Sequence, residues 1–153
     1  MDAPRLEPQD PAFAERVRAS FAKQGAMHTI GATLASVNAG HVVIELPWRE
    51  DLTQQHGFLH AGMVATALDS ACGYAASTLM PAEAGVLTIE YKINLLAPAQ
   101  GERFRMEGFV LKPGRTISVT EGRAYALHQG PEKLIATMGA TLMTITGRAG
   151  IQH

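Results

Sequence analysis

A single cysteine, Cys72, in 153 residues rules out an internal disulfide and any zinc site built from several thiolates, and it suits a reducing compartment. Charge of one sign is also missing. With 13 Lys and Arg against 14 Asp and Glu, the formal charge is −1, so there is no basic stripe of the kind that supplies nucleic-acid affinity. Met1 to Pro11 has three prolines and mixed charges where a secretory signal has a basic start and an apolar run, so cytoplasm is the expected location. The longest weakly polar run, Ala61 to Met80, matches a membrane span in length. Thr66, Asp69, Ser70, Gly73, Ser77 and Thr78 interrupt it, so a buried core helix is expected and no membrane partner. Repeats, low-complexity tracts and linkers are absent as well, leaving a single domain over residues 11–148 behind a flexible arm, 1–10. A chain of this size buries roughly 70% of its unfolded surface, enough for a core without staples.

What is present reads as an α+β domain. Phe13, Val17 and Phe21 recur every four residues between Pro11 and Gln24, which predicts a short amphipathic helix. Thr29 to Val37 and His41 to Trp48 read as strands around the turn Asn38-Ala39-Gly40. After a polar loop, Glu50 to Gly57, the spacing predicts a long helix from Ala61 to about Met80 that is apolar or small all round, hence enclosed on several sides. Four period-2 segments follow: Val86 to Leu96, Glu102 to Leu111, Arg115 to Leu127 and Lys133 to Ile145. Turn residues separate them, with no helices between, so the sheet must be antiparallel, curving around the long helix.

Asp69 is the only charged side chain between Ala61 and Met80, and a carboxylate away from water is kept only with partners or for a purpose. At the start of the same helix, His60-Ala61-Gly62 leaves backbone N–H groups without intrahelical acceptors, a place for a developing oxyanion. Ala61 and Asp69 lie roughly 12 Å apart at 1.5 Å per residue, too far to flank one carbonyl. If both serve one reaction, the second must come from another copy of the chain, and a two-fold dimer would carry two composite sites. His56 and His60 are four apart, but Gly57 and the loop setting spoil metal-pair spacing and no third ligand is evident, so no metal is expected. Cys72, one turn beyond Asp69, reads as a small core residue. Lys112 and Arg115 flank Pro113-Gly114, whose sequence favours a type II turn that would bring both cations to one edge, toward phosphates or simply toward solvent.

These segments together resemble the hotdog-fold acyl-CoA thioesterases of the phenylacetate-degradation (PaaI-like) type. That family has an Asn, five residues, His-Gly-Gly at the start of the central helix, and an acidic residue nine positions after the His. Here His60-Ala61-Gly62 and Asp69 match that spacing, and Gln54 stands at the Asn position. Val86 to Ala99 and Lys112 to Ile117 also look like the family's following strand and hairpin, so the resemblance covers about residues 25–146. It implies that the Ala61 N–H, beside Gly62, polarises the thioester carbonyl and that Gln54 contacts the carbonyl or the water. Asp69 of the partner would act as base or nucleophile, with Thr88 holding the water; His60 takes a structural or positioning task near the helix start. Lys112, Gly114, Arg115 and Thr116, with Ala97 and Pro98, would bind coenzyme A, which is part of the substrate, so no separate cofactor is implied. The implied assembly is an obligatory homodimer, with a homotetramer open. Phe58, Met63, Tyr74 and Met80 are candidates for setting pocket depth. A non-catalytic acyl-CoA binding or sensing protein is the alternative, and a hotdog dehydratase fits the helix signature less well.

Overall fold

The computed structural model describes residues 6–153. Two short helices, α1 (Phe13–Lys23) and α2 (Gly25–Ile30), precede the hairpin β1 (Thr33–Asn38) and β2 (His41–Pro47). The long helix α3 (Ala61–Ser77) follows, then β3 (Gly85–Leu95), β4 (Arg103–Lys112), β5 (Ile117–Leu127) and β6 (Lys133–Ile145). The six strands form one antiparallel sheet in the order β1-β2-β4-β5-β6-β3. No helix among the described residues is long and apolar enough to cross a membrane.

The sheet curves around α3 because one face of each central strand is apolar. Phe104, Met106 and Val110 of β4 and Ala124, Met138 and Leu142 of β5 and β6 are buried against it. How closely the helix approaches is decided by two paired glycines, Gly108 on β4 and Gly122 on β5. A Cβ on Gly108 would lie 2.2 Å from the Ala71 carbonyl oxygen, and one on Gly122 would lie 2.9 Å from Cys72 Sγ. The run of small residues Ala67, Ala71, Cys72 and Ala75 in α3, all fully buried, is the matching surface. Glycine on the strands and alanine on the helix thus let backbone meet backbone.

Arg16 of α1 finishes the far end of α3. Its guanidinium donates to Ser77 Oγ and Ser77 O, both at 3.0 Å, and to Met80 O at 3.3 Å, satisfying carbonyls that the helix leaves open. Asp10 accepts from Arg16 Nε at 2.9 Å and holds the guanidinium there.

Three expectations need correction. Thr29 and Ile30 belong to α2, not to the first strand: Gly31 takes the left-handed conformation with φ 74° and its N–H and that of Ala32 close on His28 and Met27. α3 ends at Ser77 rather than Met80, because the Leu79 and Met80 N–H groups turn to Ala76 O and Ser77 O, three residues back, in a tightened last turn, while Thr78 Oγ1 accepts from the Gly40 amide at 2.8 Å and donates to the Ala75 carbonyl at 2.6 Å. Gly114 has no positive φ, so the type II turn expected at Pro113-Gly114 does not form. Of the arm expected over residues 1–10, positions 1–5 lie outside the described residues. Leu6 packs against the core and Gln9 Nε2 donates to Leu79 O at 2.9 Å.

The slot gives a direct stability test. Gly108→Ala should lower the urea-unfolding free energy by about 3 kcal/mol, since backbone opposes the new methyl, while Gly139→Ala, with open space around its Cβ, should change it by less than about 0.5 kcal/mol.

Candidate active site

The start of α3 is built by the loop before it. Leu59 N–H donates to Ala99 O at 3.0 Å and His60 N–H to Leu52 O at 2.9 Å, which pins the helix entry to the rest of the fold. His60 is the N-cap, with Nδ1 accepting from the Gly62 N–H at 2.8 Å. An acceptor nitrogen must be unprotonated, so His60 in this arrangement caps the helix instead of carrying a proton on Nδ1. The Gly62 amide is thereby occupied. The N–H groups of Met63 and Val64 turn to His60 O. Ala61 is exposed, and its N–H meets no acceptor among the described residues. It opens on a cavity of about 500 Å3 whose lining includes Gln54, Phe58, Val64, Leu95, Ala97 and Pro98. Gln54 Oε1 accepts from the His56 N–H, which leaves the Gln54 amide NH2 as a further donor at this cavity.

Asp69 sits two turns on and opens elsewhere. It is half-buried, and Thr88 of β3 donates to its Oδ1 at 2.8 Å. Burial raises the Asp69 carboxyl above its usual range, and the Thr88 hydrogen bond pulls partly the other way. The two residues line a second cavity of about 270 Å3. Within one chain, therefore, Asp69 with Thr88 and Ala61 with Gln54 open on two separate cavities. Cys72 is not a competing nucleophile: burial pushes its thiol up to about 12, with a Thr120 hydrogen bond opposing and Asp69 and Glu121 reinforcing the shift.

The residues implied to hold coenzyme A are also divided. Gly114, Arg115 and Thr116 line a cavity of about 900 Å3 near the far end of α3, shared with Glu7, Met80 and Glu83. Ala97 and Pro98 line the Ala61 cavity, and Lys112, exposed at the end of β4, lines neither. Of the pocket-depth candidates, Phe58 lies at the Ala61 cavity, Tyr74 at the Asp69 cavity, Met80 at the large one, and Met63 at none of these. Among the described residues no three His, Cys, Asp or Glu side chains gather as metal ligands.

Sequence reasoning missed a polar group beside Asp69. Ser20 Oγ lies 3.2 Å from Tyr74 Oη and 2.8 Å from His153 Nδ1, and Gln24 Nε2 donates to Tyr74 Oη at 3.4 Å. Ser70 donates to Gln24 Oε1 at 2.9 Å, and all five residues line the Asp69 cavity. Ser20 and Gln24 look in the sequence like ordinary solvent-side residues of a short helix, and only the packing of α1 against α3 brings them here.

The family description "Thioesterase superfamily" matches residues 56–132. Among curated proteins, one described as an esterase in Saccharolobus solfataricus is 40% identical over 86 residues, 56% of this chain and 61% of that protein. Human acyl-coenzyme A thioesterase 13 is 33% identical over 91 residues, 58% of this chain and 63% of that protein. The chain thus spans less than two thirds of the length of either. A solved thioesterase family protein from Silicibacter pomeroyi aligns with a TM-score of 0.87 and 55% identity, covering 88% of this chain and 99% of that one. The Escherichia coli PaaI protein shares the fold, with a TM-score of 0.78 at 18% identity over 88% of this chain and 94% of its own. With the start of α3 and half-buried Asp69 both inside the matched stretch, this chain belongs to the Thioesterase superfamily and has the hotdog fold.

Proposed function

We propose that the protein hydrolyses an acyl-CoA thioester to the free acid and coenzyme A, at sites each assembled from two copies of the chain. One observation carries this reading: a single rigid helix bears an unengaged amide at its start and a half-buried carboxylate about 12 Å along, opening on different cavities. Brought against a second copy, each half-site finds its complement. The edge strand β3 is where the second copy docks in this proposal. Among the described residues it pairs only with β6; it carries Thr88 and exposes Leu87, Ile89 and Tyr91 at 45%, 53% and 46%. Long apolar edges of this kind need covering.

In the composite site the Ala61 N–H, assisted by the helix dipole and the Gln54 amide, binds the thioester carbonyl oxygen as negative charge develops on it. Asp69 of the partner accepts a proton from water, whose oxygen attacks the carbonyl carbon. As the C–S bond breaks, the proton passes to the coenzyme A sulfur. In the covalent variant Asp69 attacks directly, the thiolate leaves, and water opens the resulting anhydride. Thr88 orients the Asp69 carboxylate in both. Arg115, with the Gly114 and Thr116 backbone, supplies the cationic edge for coenzyme A phosphates.

The first test measures free-thiol release from short, long and aromatic acyl-CoAs. Asp69→Asn should reduce kcat by about 10³-fold with the fold intact. Because burial raises the Asp69 pKa, the folded state favours the protonated form. That advantage is present below the unfolded pKa and is lost as pH rises through the folded one, so at neutral pH the charge is a cost. Asp69→Asn should therefore raise Tm. Tight acyl-CoA binding with no turnover by the unaltered protein would instead favour the binding-module alternative.

A second variant probes the amide itself. Ala61 is the first helical residue and His60 before it is already extended, with φ −61° and ψ 137°, a geometry that accepts proline next. Ala61→Pro removes the N–H without disturbing the helix and should cost about 10²-fold or more in kcat. Thr88→Val takes away the donor that favours ionised Asp69, so the acid limb of the kcat/KM profile should move to higher pH. An unmoved limb would separate Asp69 from the proton transfer.

A further inference from the structure

The cavity beside Asp69 is small, about 270 Å3, and five polar side chains, Ser20, Gln24, Ser70, Tyr74 and His153, break up a wall that is otherwise apolar at Val86 and Leu87. Ser20 from α1 and Gln24 just after it meet Ser70 and Tyr74 from α3, and His153 closes the far side with its ring centroid 6.1 Å from that of Tyr74. These groups hydrogen-bond one another and are held in place before any ligand arrives. They also have capacity to spare. The Gln24 amide has a second N–H, and hydroxyls donate once and accept twice. Among the described residues no Lys or Arg lines the cavity, and Asp69 is the one acidic side chain that does; burial, and after it the Arg16 charge, lowers the His153 pKa and so favours a neutral ring. An acyl group ending in a carboxylate would meet the Asp69 charge, and the cation that acts on His153, Arg16, is already paired with Asp10 at 2.9 Å. The cavity at Ala61 contrasts with it, being larger and walled by Phe58, Leu59, Val64, Leu95 and Ile135.

We infer that the polar recess formed by Ser20, Gln24, Tyr74 and His153 receives the acyl group and selects thioesters whose acyl chain is short and ends in a neutral hydrogen-bonding group such as a hydroxyl. The inference rests on the thioesterase reading and adds its substrate class. Length follows from the helix: Asp69 and Tyr74 are five residues apart, about 7.5 Å along the axis, which is the reach of a chain of about six carbons. Preference follows from the desolvation a site imposes. A methyl end entering this recess would strip water from groups that it cannot satisfy, whereas a hydroxyl replaces that water.

The experiment compares kcat/KM for hexanoyl-CoA, 6-hydroxyhexanoyl-CoA and adipoyl-CoA, in the unaltered protein and in Tyr74→Phe and Gln24→Leu. The hydroxylated substrate should lead hexanoyl-CoA by about tenfold or more, with adipoyl-CoA below both, and each substitution should bring the hydroxyl-to-methyl ratio toward one. A ratio taken within one variant is unaffected by a general loss of folded protein. A preference for hexanoyl-CoA would place the acyl chain in the apolar cavity at Ala61 and overturn the inference. So would a hydroxyl preference that neither substitution moves. Hydrolysis of none of the three, nor of any other acyl-CoA, would overturn the thioesterase reading itself.

Discussion

The backbone of α3 rests directly on the sheet at Gly108, with the Leu68 and Cys72 side chains seated on Gly122, and the remaining geometry depends on that contact. With a Cβ at Gly108 the helix would have to lift, and Asp69 would leave the hydroxyl of Thr88, which lies 2.8 Å away on the edge strand. The contact also fixes the rotation of α3. The small face carrying Ala71 and Cys72 is spent on the sheet, so the faces left over point Asp69 toward β3 and Tyr74 toward α1. A helix seated so tightly does not bend to bring its two ends together. The separation between Ala61 and Asp69 is therefore a permanent property of one chain, and the proposed chemistry has to be assembled from two.

The two half-sites store cost in different ways. At the helix start, the Ala61 N–H is left open while the neighbouring Gly62 amide is satisfied by His60, so the donor is presented without loosening the first turn. At Asp69, burial works against ionisation and Thr88 restores part of it, keeping a carboxylate that is more basic than one in water. Both costs are offset by the apolar packing of the same helix, of which Val64, Leu68 and Ala75 are fully buried. The element that carries the apolar packing is thus also the one that the proposed chemistry would use.

Much of this could be read from the chain. Period-2 alternation placed the last four strands, and β6 has the same bounds in the structure, Lys133–Ile145. Asp69 was visible because it is alone among small and apolar residues. The helix α2 was not, since Thr29 and Ile30 are β-branched and adjoin a true strand, and what stops the helix is the φ of Gly31, a backbone property with no side-chain pattern. The end of α3 was overestimated because Leu79 and Met80 keep the apolar character of the helix while their N–H groups tighten onto carbonyls three residues back, Ala76 O and Ser77 O. The capping role of His60 and the polar recess at Tyr74 both depend on contacts between parts of the chain whose spacing carries no signal.

The composite site can be tested by subunit mixing. Ala61→Pro and Asp69→Asn, each nearly inactive alone, are unfolded and refolded together in equal amounts, and thioester hydrolysis is measured in the mixture. A mixed dimer joins Asp69 of one chain to the open amide of the other, so one of its two sites is intact, and random pairing should restore about a quarter of the unaltered protein's turnover. A mixture no more active than its components would contradict the account, because it would mean that the amide and the carboxylate serve one site within a single chain or serve no common site.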